Sequence, residues 1–575
     1  MRFRFLLFAV LFLPLSACTK TPEAKPPETA RPPKLAVLVV FDQMRGDYLQ
    51  RWQDLYTTDG FRRLEQEGTW FTNCHYPYAM TATGPGHASL LTGSSPDKHG
   101  IVANTWYDRK EAATVNCSTS PRYERVPPLP PAPPKPPPAA KNEAPEEKIL
   151  KGFGSPERML VPSLADSLKQ VTQGKGKVFG LSLKDRSAIL PAGHKPDGAY
   201  WFDRGQFVTS TYYRDRVHPW VAKFNESKRC DKWFGQKWER LRNDIDYTTF
   251  GGPAVIPGAG KGFNQGRSFP HPFGLGKQID KEYYDALAGS PFGNQLLLDL
   301  ARQAIVEEKL GQRDVPDLLS ISFSSNDLIG HVWGPDSQEV LDVTLRSDLI
   351  IRDLLKFLDE HVGNDRYVLV LSADHGICPI PEATQAQGRE AKRVPTLSMF
   401  SAAETHLREK LGEPGDTKSR WIEAANEGGI YLNQRMIEAR KLDVDVVAST
   451  LADWLGQQES IHWAYTRKQL MLPDSADDSD IVRRVRKSFH PERSGDVIFV
   501  SKPYYLVGSF KSGATHGTPH SYDTHVPLLA FGPGIAKRTR DDLVTPQAAA
   551  SILAKALDIP PPASAEAKLP DGLFR

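Results

Sequence analysis

The amino-acid sequence predicts an α/β fold, with a doubly wound, mostly parallel central sheet and an inserted cap or accessory subdomain. Three continuous apolar runs are typical of parallel strands buried on both faces: Leu35–Phe41, Leu318–Phe323 and Tyr367–Leu371. Helical patterns lie between these runs, at Gly293–Leu310 and Asp336–His361, as expected of strand–helix–strand units. Each run also leads into an acidic residue, and ligands of such sheets gather beyond the carboxyl ends of their strands.

The composition of the 575-residue chain excludes several classes of protein. It is 40% hydrophobic and 25% charged, with a net charge of 72 − 69 = +3. This near balance of charge argues against a strongly basic nucleic-acid binder, so we expect no nucleic-acid partner. The apolar content excludes disorder throughout, and a count of only 5 Cys excludes a disulfide-stapled miniprotein.

The N-terminal segment predicts export. Two arginines precede the apolar run 5–15, which is too short to span a bilayer and is flanked like a secretory signal. The letters L-S-A-C that follow resemble the bacterial lipobox, so residues 1–17 are predicted to be a lipoprotein-type signal peptide. The alternative is plain signal cleavage near Ala17. Because Thr19 stands where an acidic residue would favour inner-membrane retention, we expect a periplasmic protein held at the outer membrane by a lipid on Cys18.

Proline and the positions of the motifs set the predicted domain limits. The chain has 47 Pro, and nine of them lie within Pro127–Pro138, which predicts a stiff surface loop. The predicted order is a Pro-rich tether at 18–34, a catalytic core at 35–378 with a surface loop at 118–150, a motif-free cap or accessory insertion at 379–496, and a return to the core at 497–575.

Aspartate and histidine residues cluster where the predicted strands end. Asp327 and His331 are four residues apart, so they face the same way on a helical turn. Asp374 and His375 are adjacent in sequence. On a regular strand their side chains would point to opposite faces, so they could serve two different metals. Oxygen and nitrogen ligands of this kind suit a divalent metal, zinc above all. His516 precedes a fourth strand-like segment, Val526–Phe531, which is also expected to be parallel. The candidate ligands are Asp42, Asp327, His331, Asp374, His375 and His516, and the other twelve of the 15 His are assigned to surface or structural positions.

The segment from Thr81 to Gly93 offers a nucleophile. Its glycines allow close approach of a ligand, and a helix beginning after Pro85 would present free N–H groups to an anion. A hydroxyl at this point can attack phosphorus if a metal lowers its pKa. The alternative is a threonine that only caps the helix.

Three further residues offer contacts to a phosphoryl group. Lys184 and Arg186 are two apart, so on a strand they would point the same way and clamp its oxygens. Asn104 supplies an amide nearby. The alternative for Lys-Asp-Arg is a solvated charge cluster.

Taken together, the motifs resemble the alkaline phosphatase superfamily, and most closely the PafA-type bacterial alkaline phosphatases. The resemblance runs in segments over about Leu35–Pro533 and keeps the order of the motifs in the family. The segments that carry it are V-F-D-Q-M-R-G-D, T-G-P-G-H, H-G-I-V-A-N, the Lys184 and Arg186 pair, N-D-L-I-G-H, S-A-D-H-G, A-T-H-G and Y-D-T-H-V-P.

The resemblance implies an alkaline phosphatase-like α/β fold and two Zn²⁺ per chain. It assigns one zinc to Asp327, His331 and His516, and the other to Asp42, Asp374, His375 and the hydroxyl of Thr83. Thr83, rather than Thr81, matches the nucleophile position of the family and would become phosphorylated.

The expected function is broad hydrolysis of small phosphate monoesters by a monomeric, zinc-dependent alkaline phosphatase. The cationic pair with Asn104 favours a monoester, because a monoester carries one more charge than a diester. The alternatives are a phosphodiesterase or nucleotide pyrophosphatase with the same two metals, and a noncatalytic lipoprotein that binds phosphate or metal.

Disulfide pairing stays open among the four remaining cysteines, Cys74, Cys117, Cys230 and Cys378.

Overall fold

The computed structural model describes residues 32–130, 148–274, 276, 278–415, 419–426 and 428–575. All of them belong to one unit, Pro32–Arg575. The predicted signal peptide 1–17, Cys18 and most of the tether lie outside the described residues, as do residues 131–147 of the Pro-rich loop. Within the described ranges, no helix is both long and apolar enough to cross a membrane.

A ten-stranded sheet forms the centre of the molecule and confirms the predicted α/β fold. In order across the sheet, its strands are Arg538–Arg540, Thr69–Phe71, Leu528–Phe531, Tyr367–Ser372, Leu35–Phe41, Asp317–Phe323, Val178–Ser182, Gly198–Asp203, Gln206–Ser210 and Arg125–Val126. The five strands from Tyr367–Ser372 to Gly198–Asp203 are parallel to one another. The Leu528–Phe531 strand, expected to be parallel, is antiparallel to Tyr367–Ser372.

Burial explains why the central strands were readable from sequence. Every residue of Leu35–Phe41 and of Asp317–Phe323 is buried, so both faces of these strands select apolar or small side chains. Their register pairs Leu35 with Asp317 and Phe41 with Phe323, so the two strands end level with each other. The residues that follow the strands therefore meet at one edge of the sheet.

Helices make up much of the rest of the described structure. The helices of eight or more residues are Thr83–Thr92, Leu164–Val171, Asp185–Ala192, Pro219–Glu226, Lys281–Ala288, Pro291–Glu308, Ser325–Trp333, Gln338–His361, Thr396–Leu411, Val444–Gly456, Asp480–Ser488 and Ala548–Leu557. The longest, Gln338–His361, begins where the Ser337 hydroxyl accepts a hydrogen bond from the Val340 N–H. Pro291–Glu308 begins with proline in its first turn, a position where the missing N–H costs no hydrogen bond.

A second, smaller sheet has its own core. Four antiparallel strands form it, in the order Ile422–Ala425, Gly429–Leu432, Val497–Ser501 and Ile461–Thr466. Buried side chains such as Trp421, Leu432 and Leu451 make up its core. Val497–Ser501, which is predicted to belong to the returning core, instead pairs within this smaller sheet. We use the name accessory body for residues 392–508.

The four cysteines on which disulfides were left open are all free. Each is buried and none is bonded to another: Cys74, Cys117, Cys230 and Cys378.

Candidate metal and phosphate site

The side chains predicted to bind metal meet at the carboxyl edge of the parallel strands. Asp42 directly follows Leu35–Phe41, and Asp327 lies in the first turn of the helix that follows Asp317–Phe323. Asp374 and His375 follow Tyr367–Ser372, while His516 arrives on a loop from the far end of the chain. The level strand ends bring these residues together although more than 400 positions separate the first from the last.

The first donor group consists of Asp327, His331 and His516. Asp327 Oδ1 lies 3.2 Å from His331 Nε2 and 3.7 Å from His516 Nε2. The i, i+4 spacing on the Ser325–Trp333 helix places Asp327 and His331 on one face, as the sequence predicted.

The second donor group consists of Asp42, Asp374, His375 and Thr83. His375 Nε2 lies 3.6 Å from Asp42 Oδ1, 3.5 Å from Asp374 Oδ2 and 3.4 Å from Thr83 Oγ1. Asp374 and His375 point into the same group because the regular strand ends at Ser372, so the divergence expected on a strand does not apply.

The two donor groups are contiguous. One donor atom from each of Asp42, Asp327 and His375 lies within 4.8 Å of the others. Such an arrangement can hold two cations close together.

All three histidines of the site are held in one orientation by the same device. The Nδ1–H of His331 donates to Ala514 O, that of His375 to Gly376 O, and that of His516 to Thr81 O, each over 2.8 Å. A hydrogen bond at Nδ1 fixes the tautomer and leaves Nε2 unprotonated as a ligand atom. Each Nε2 faces the carboxylates, so the imidazoles are oriented as metal ligands usually are.

Burial leaves the carboxylates short of partners. Asp42 Oδ1 is buried and has no hydrogen-bond partner among the described residues, while the buried Asp374 Oδ2 has His87 Nδ1 at 3.0 Å. Burial, then the negative charge of Asp374, raises the pKa of Asp42 well above its usual value. For Asp327, His331 and Lys184 outweigh the effect of burial and hold the pKa well below its usual value. Divalent cations would supply the missing positive charge, and the carboxylate and imidazole donors fit zinc.

Thr83 is the first residue of the Thr83–Thr92 helix and is not its cap. The cap is Ala82, in an extended conformation, so the helix begins before Pro85 rather than after it. The Gly84 N–H donates to Asn104 Oδ1 and the Gly86 N–H donates to Ala82 O, while proline has no N–H. The expected row of free N–H groups is therefore largely absent in the first turn, and attraction for an anion falls to the cationic side chains.

Gly86 is required by a close contact between the nucleophile helix and a site loop. A Cβ at this position would lie 2.2 Å from the carbonyl oxygen of Asp374. Any larger residue would push apart the two segments that carry Thr83 and Asp374.

Lys184 and Arg186 reach the site from a helix start rather than from a strand. The strand ends at Ser182, Lys184 is the cap residue of Asp185–Ala192, and Arg186 lies in its first turn. Lys184 Nζ lies 2.8 Å from Asp42 Oδ2 and 2.5 Å from Asp327 Oδ2, so it belongs to the carboxylate cluster and not to a solvated charge cluster.

The Arg186 guanidinium has an unused donor. Its Nε is buried without a hydrogen-bond partner among the described residues, and its nearest carboxylate, Asp185, is 3.7 Å from Nη1. A buried, unpaired N–H next to the site fits an anionic ligand such as a phosphoryl group.

Two supporting residues escaped the sequence analysis. His87 is buried, and its Nδ1 lies 2.9 Å from Thr83 O and 3.0 Å from Asp374 Oδ2. Gln43 has a left-handed φ of 71°, and its backbone N–H donates to Asp374 Oδ1 over 3.0 Å. Its side-chain Nε2 donates to Asp327 Oδ1 over 2.6 Å. The available signals were the i, i+4 spacing of His87 from Thr83 and the position of Gln43 directly after a ligand.

Comparisons with known proteins point to one family. The sequence profile of the family "Type I phosphodiesterase / nucleotide pyrophosphatase" matches residues 36–523. Alkaline phosphatase PafA from Elizabethkingia meningoseptica is 34% identical over 510 residues, covering 88% of this chain and 87% of the relative. Alkaline phosphatase PhoV from Synechococcus elongatus is 32% identical over 520 residues, with the same two shares. The crystal structure of wild-type PafA aligns with a TM-score of 0.84 at 32% identity, covering 95% of this chain and 99% of that one.

Proposed function

Because the chain belongs to the type I phosphodiesterase / nucleotide pyrophosphatase family, we propose that it is a metal-dependent alkaline phosphatase that hydrolyses phosphate monoesters through a phosphothreonine on Thr83. The observation that carries the proposal is the position of the Thr83 hydroxyl, 3.4 Å from the Nε2 of a histidine whose Nδ1 is tied to a backbone carbonyl. Two relatives matched over most of the chain, PafA and PhoV, are named alkaline phosphatases and support the monoester assignment.

The proposed cofactor is two Zn²⁺ per chain. The first donor group would hold one ion and the second donor group the other. When bound, the ions supply Lewis-acid stabilisation of charge on the attacking and leaving oxygens. The support is the chemistry of the donors and the buried carboxylate oxygen of Asp42, Oδ1, which has no hydrogen-bond partner among the described residues.

The protein's own residues supply the nucleophile and the contacts to the phosphoryl group. Thr83 Oγ1 forms a bond to phosphorus as the ester bond to the alcohol breaks, and the alcohol leaves with the proton that the Thr83 hydroxyl gives up. Water then attacks phosphorus, which releases inorganic phosphate and restores the Thr83 hydroxyl. Arg186 binds a phosphoryl oxygen through its unpaired Nε–H, and Asn104 donates from its amide nitrogen while its Oδ1 holds the Gly84 N–H.

Lys184 contributes a positive charge to the site. With its Nζ between two carboxylates, it adds a fixed positive charge beside the position of the phosphoryl group. A monoester has one more negative charge than a diester, so the Lys184 and Arg186 pair stabilises it more strongly. The description of the family keeps a diester or nucleotide pyrophosphate substrate as the second candidate.

Kinetics on matched esters decide between the two candidates. With zinc restored, we expect a higher kcat/KM for p-nitrophenyl phosphate than for bis(p-nitrophenyl) phosphate. Lys184→Ala should lower the monoester value by about 10²–10³-fold and the diester value much less. Lys110→Ala is the matched control, because its side chain is 85% exposed and pairs with the exposed Glu492 rather than with a carboxylate of the site. If Lys184→Ala spared monoester turnover, the assignment of the substrate class would be wrong.

We also propose that the chain is a monomer in the periplasm, with residues 1–17 removed and a lipid on Cys18 at the outer membrane. The sequence of the leader supports the export and the lipid anchor. Fractionation of cells that express Cys18→Ala should move the enzyme from the membrane fraction to the soluble periplasmic fraction. Retention in the membrane would contradict the lipid anchor.

A further inference from the structure

A cleft lies between the accessory body and the candidate metal site. The space between them measures about 880 Å³ and is partly open to solvent. From the accessory body its walls include Tyr431, Phe499 and Tyr505, and from the core they include Met80 and His516. The cleft is therefore shared between the part of the chain that carries the chemistry and the part to which no function is assigned.

Three segments that line the cleft also carry residues of the site. Met80 comes three positions before Thr83, and Ala103 immediately precedes Asn104. His516 is itself a member of the first donor group and a lining residue. A molecule in the cleft thus sits directly beside a phosphoryl group bound at the site.

The position of the nucleophile decides which part of the substrate faces the cleft. Thr83 lies in the second donor group, and in-line displacement puts the leaving oxygen on the opposite side of phosphorus. That side is the first donor group, to which His516 belongs. The alcohol part of the ester consequently projects from the side of the site where the cleft opens.

The chemistry of the lining selects the kind of alcohol. The described residues that line the cleft include no aspartate, glutamate, lysine or arginine, and their polar groups are serine, threonine, asparagine, tyrosine and His516. A charged leaving group would lose its hydration there without gaining an ionic partner. An apolar chain or ring would instead bury its surface against Phe499, Leu506 and Val485.

The Met80 side chain lines the cleft beside the accessory body. A Cβ at Gly428 of the accessory body would lie 2.3 Å from Met80 Cε, and one at Gly517 would lie 3.7 Å from Met80 Sδ. Gly428 therefore makes room for the Met80 side chain, while a Cβ at Gly517 would be in ordinary contact with it. Methionine is unbranched and adapts its shape, so it can make way for a chain of variable length.

We propose that this cleft is the subsite for the leaving group, and that it selects phosphate monoesters of uncharged, apolar alcohols. The inference rests on the proposed function and adds the substrate class. The accessory body then has a role in specificity, since it supplies most of the cleft wall.

A series of n-alkyl phosphates tests the subsite on the wild-type, zinc-loaded enzyme. From ethyl to hexyl phosphate, kcat/KM should rise by up to about fourfold per methylene and then level off as the cleft fills. A carboxylate at the end of the hexyl chain should remove most of this gain. No turnover of any monoester would overturn the proposed function itself. Turnover that is independent of chain length, or indifferent to the carboxylate, would overturn only the subsite.

Blocking the cleft gives a second test with a binding readout. Ser501 lines the cleft, and Ser501→Trp should abolish the dependence on chain length while ethyl phosphate turnover stays within about twofold. Ser509→Trp, at an exposed position of the loop that leaves the accessory body, is the matched control and should keep the dependence. Calorimetry should show that hexylphosphonate binds the wild type more tightly than methylphosphonate, and that Ser501→Trp removes the difference. Equal binding of the two phosphonates by the wild type would contradict the proposal.

Discussion

Replacement of Lys184 by methionine should destabilise the protein strongly without metal and weakly with it. Lys184→Met keeps the aliphatic stem but leaves Asp42 and Asp327, which contact Nζ at 2.8 and 2.5 Å, without their cation. At an effective dielectric constant of about 20, one such contact is worth roughly 6 kcal/mol before the cost of desolvation is subtracted. Removing one partner of a buried ion pair has a net cost of about 3–5 kcal/mol, and we expect this loss in the presence of a chelator.

Bound zinc should offset most of this loss in the free energy of unfolding, because the cations neutralise the same carboxylates. The assay is urea denaturation of wild type and variant, with chelator and with saturating zinc, comparing the free energies of unfolding. Lys177→Met provides the control, since Lys177 pairs with Glu308 at 2.5 Å outside both donor groups. This variant should lose as much stability with zinc as with chelator. A loss at Lys184 that zinc leaves unchanged would refute the reasoning that lysine and metal share one carboxylate cluster.

Three further outcomes follow from single contacts. Gly86→Ala should cost about 1–3 kcal/mol of stability and most of the activity, because its Cβ would lie 2.2 Å from a backbone carbonyl oxygen. Gly456→Ala has open space around its Cβ and should fold and react normally, and urea denaturation and kcat/KM measure both variants. Arg186→Lys should lower monoester kcat/KM by about tenfold or more, since lysine lacks the Nε–H donor; an unchanged value would remove Arg186 from the phosphate contacts. The hydrogen bond from His194 to Asp166 raises the pKa of this histidine, so its contribution to stability is fully present below about pH 6.5 and is lost as pH rises through the folded pKa. If the free energy of unfolding of His194→Gln changed with pH as much as that of the wild type over this window, the assignment would be contradicted.

The central strands and their carboxylates were predictable because short stretches of sequence show both the burial of a strand and the position of its end. Leu35–Phe41 was predicted at the bounds that the structure shows, and Tyr367–Leu371 falls one residue short of the observed strand. A strand buried on both faces leaves a continuous apolar run, and the acidic residue that follows it marks the edge of the sheet.

Direction and accessory structure were not predictable in the same way. An apolar run carries no sign of direction, so Leu528–Phe531 was expected to be parallel and is antiparallel. The accessory sheet is built from strands of four to six residues with irregular register, and its pairing depends on contacts between distant segments. Its last strand, Val497–Ser501, therefore gave no local sign of belonging to it.

Within the site, residue types were predictable but their partners were not. Lys184 was expected to clamp phosphate from a strand, and it instead sits at a helix start between two carboxylates that lie 142 and 143 positions away. His87 was assigned a surface or structural position because a lone histidine gives no sign of which carboxylate it faces. Only the fold shows that this ring stands next to Asp374.

Trapping of the covalent intermediate tests the central proposal most directly. The zinc-loaded enzyme would be mixed with a ³²P-labelled aryl phosphate, quenched in acid, digested and mapped by mass spectrometry. We expect one phosphate on Thr83, a phosphoserine at the same position in Thr83→Ser, and neither label nor appreciable turnover in Thr83→Ala. A labelled residue other than Thr83, or full monoester turnover by Thr83→Ala, would contradict the assignment of the nucleophile.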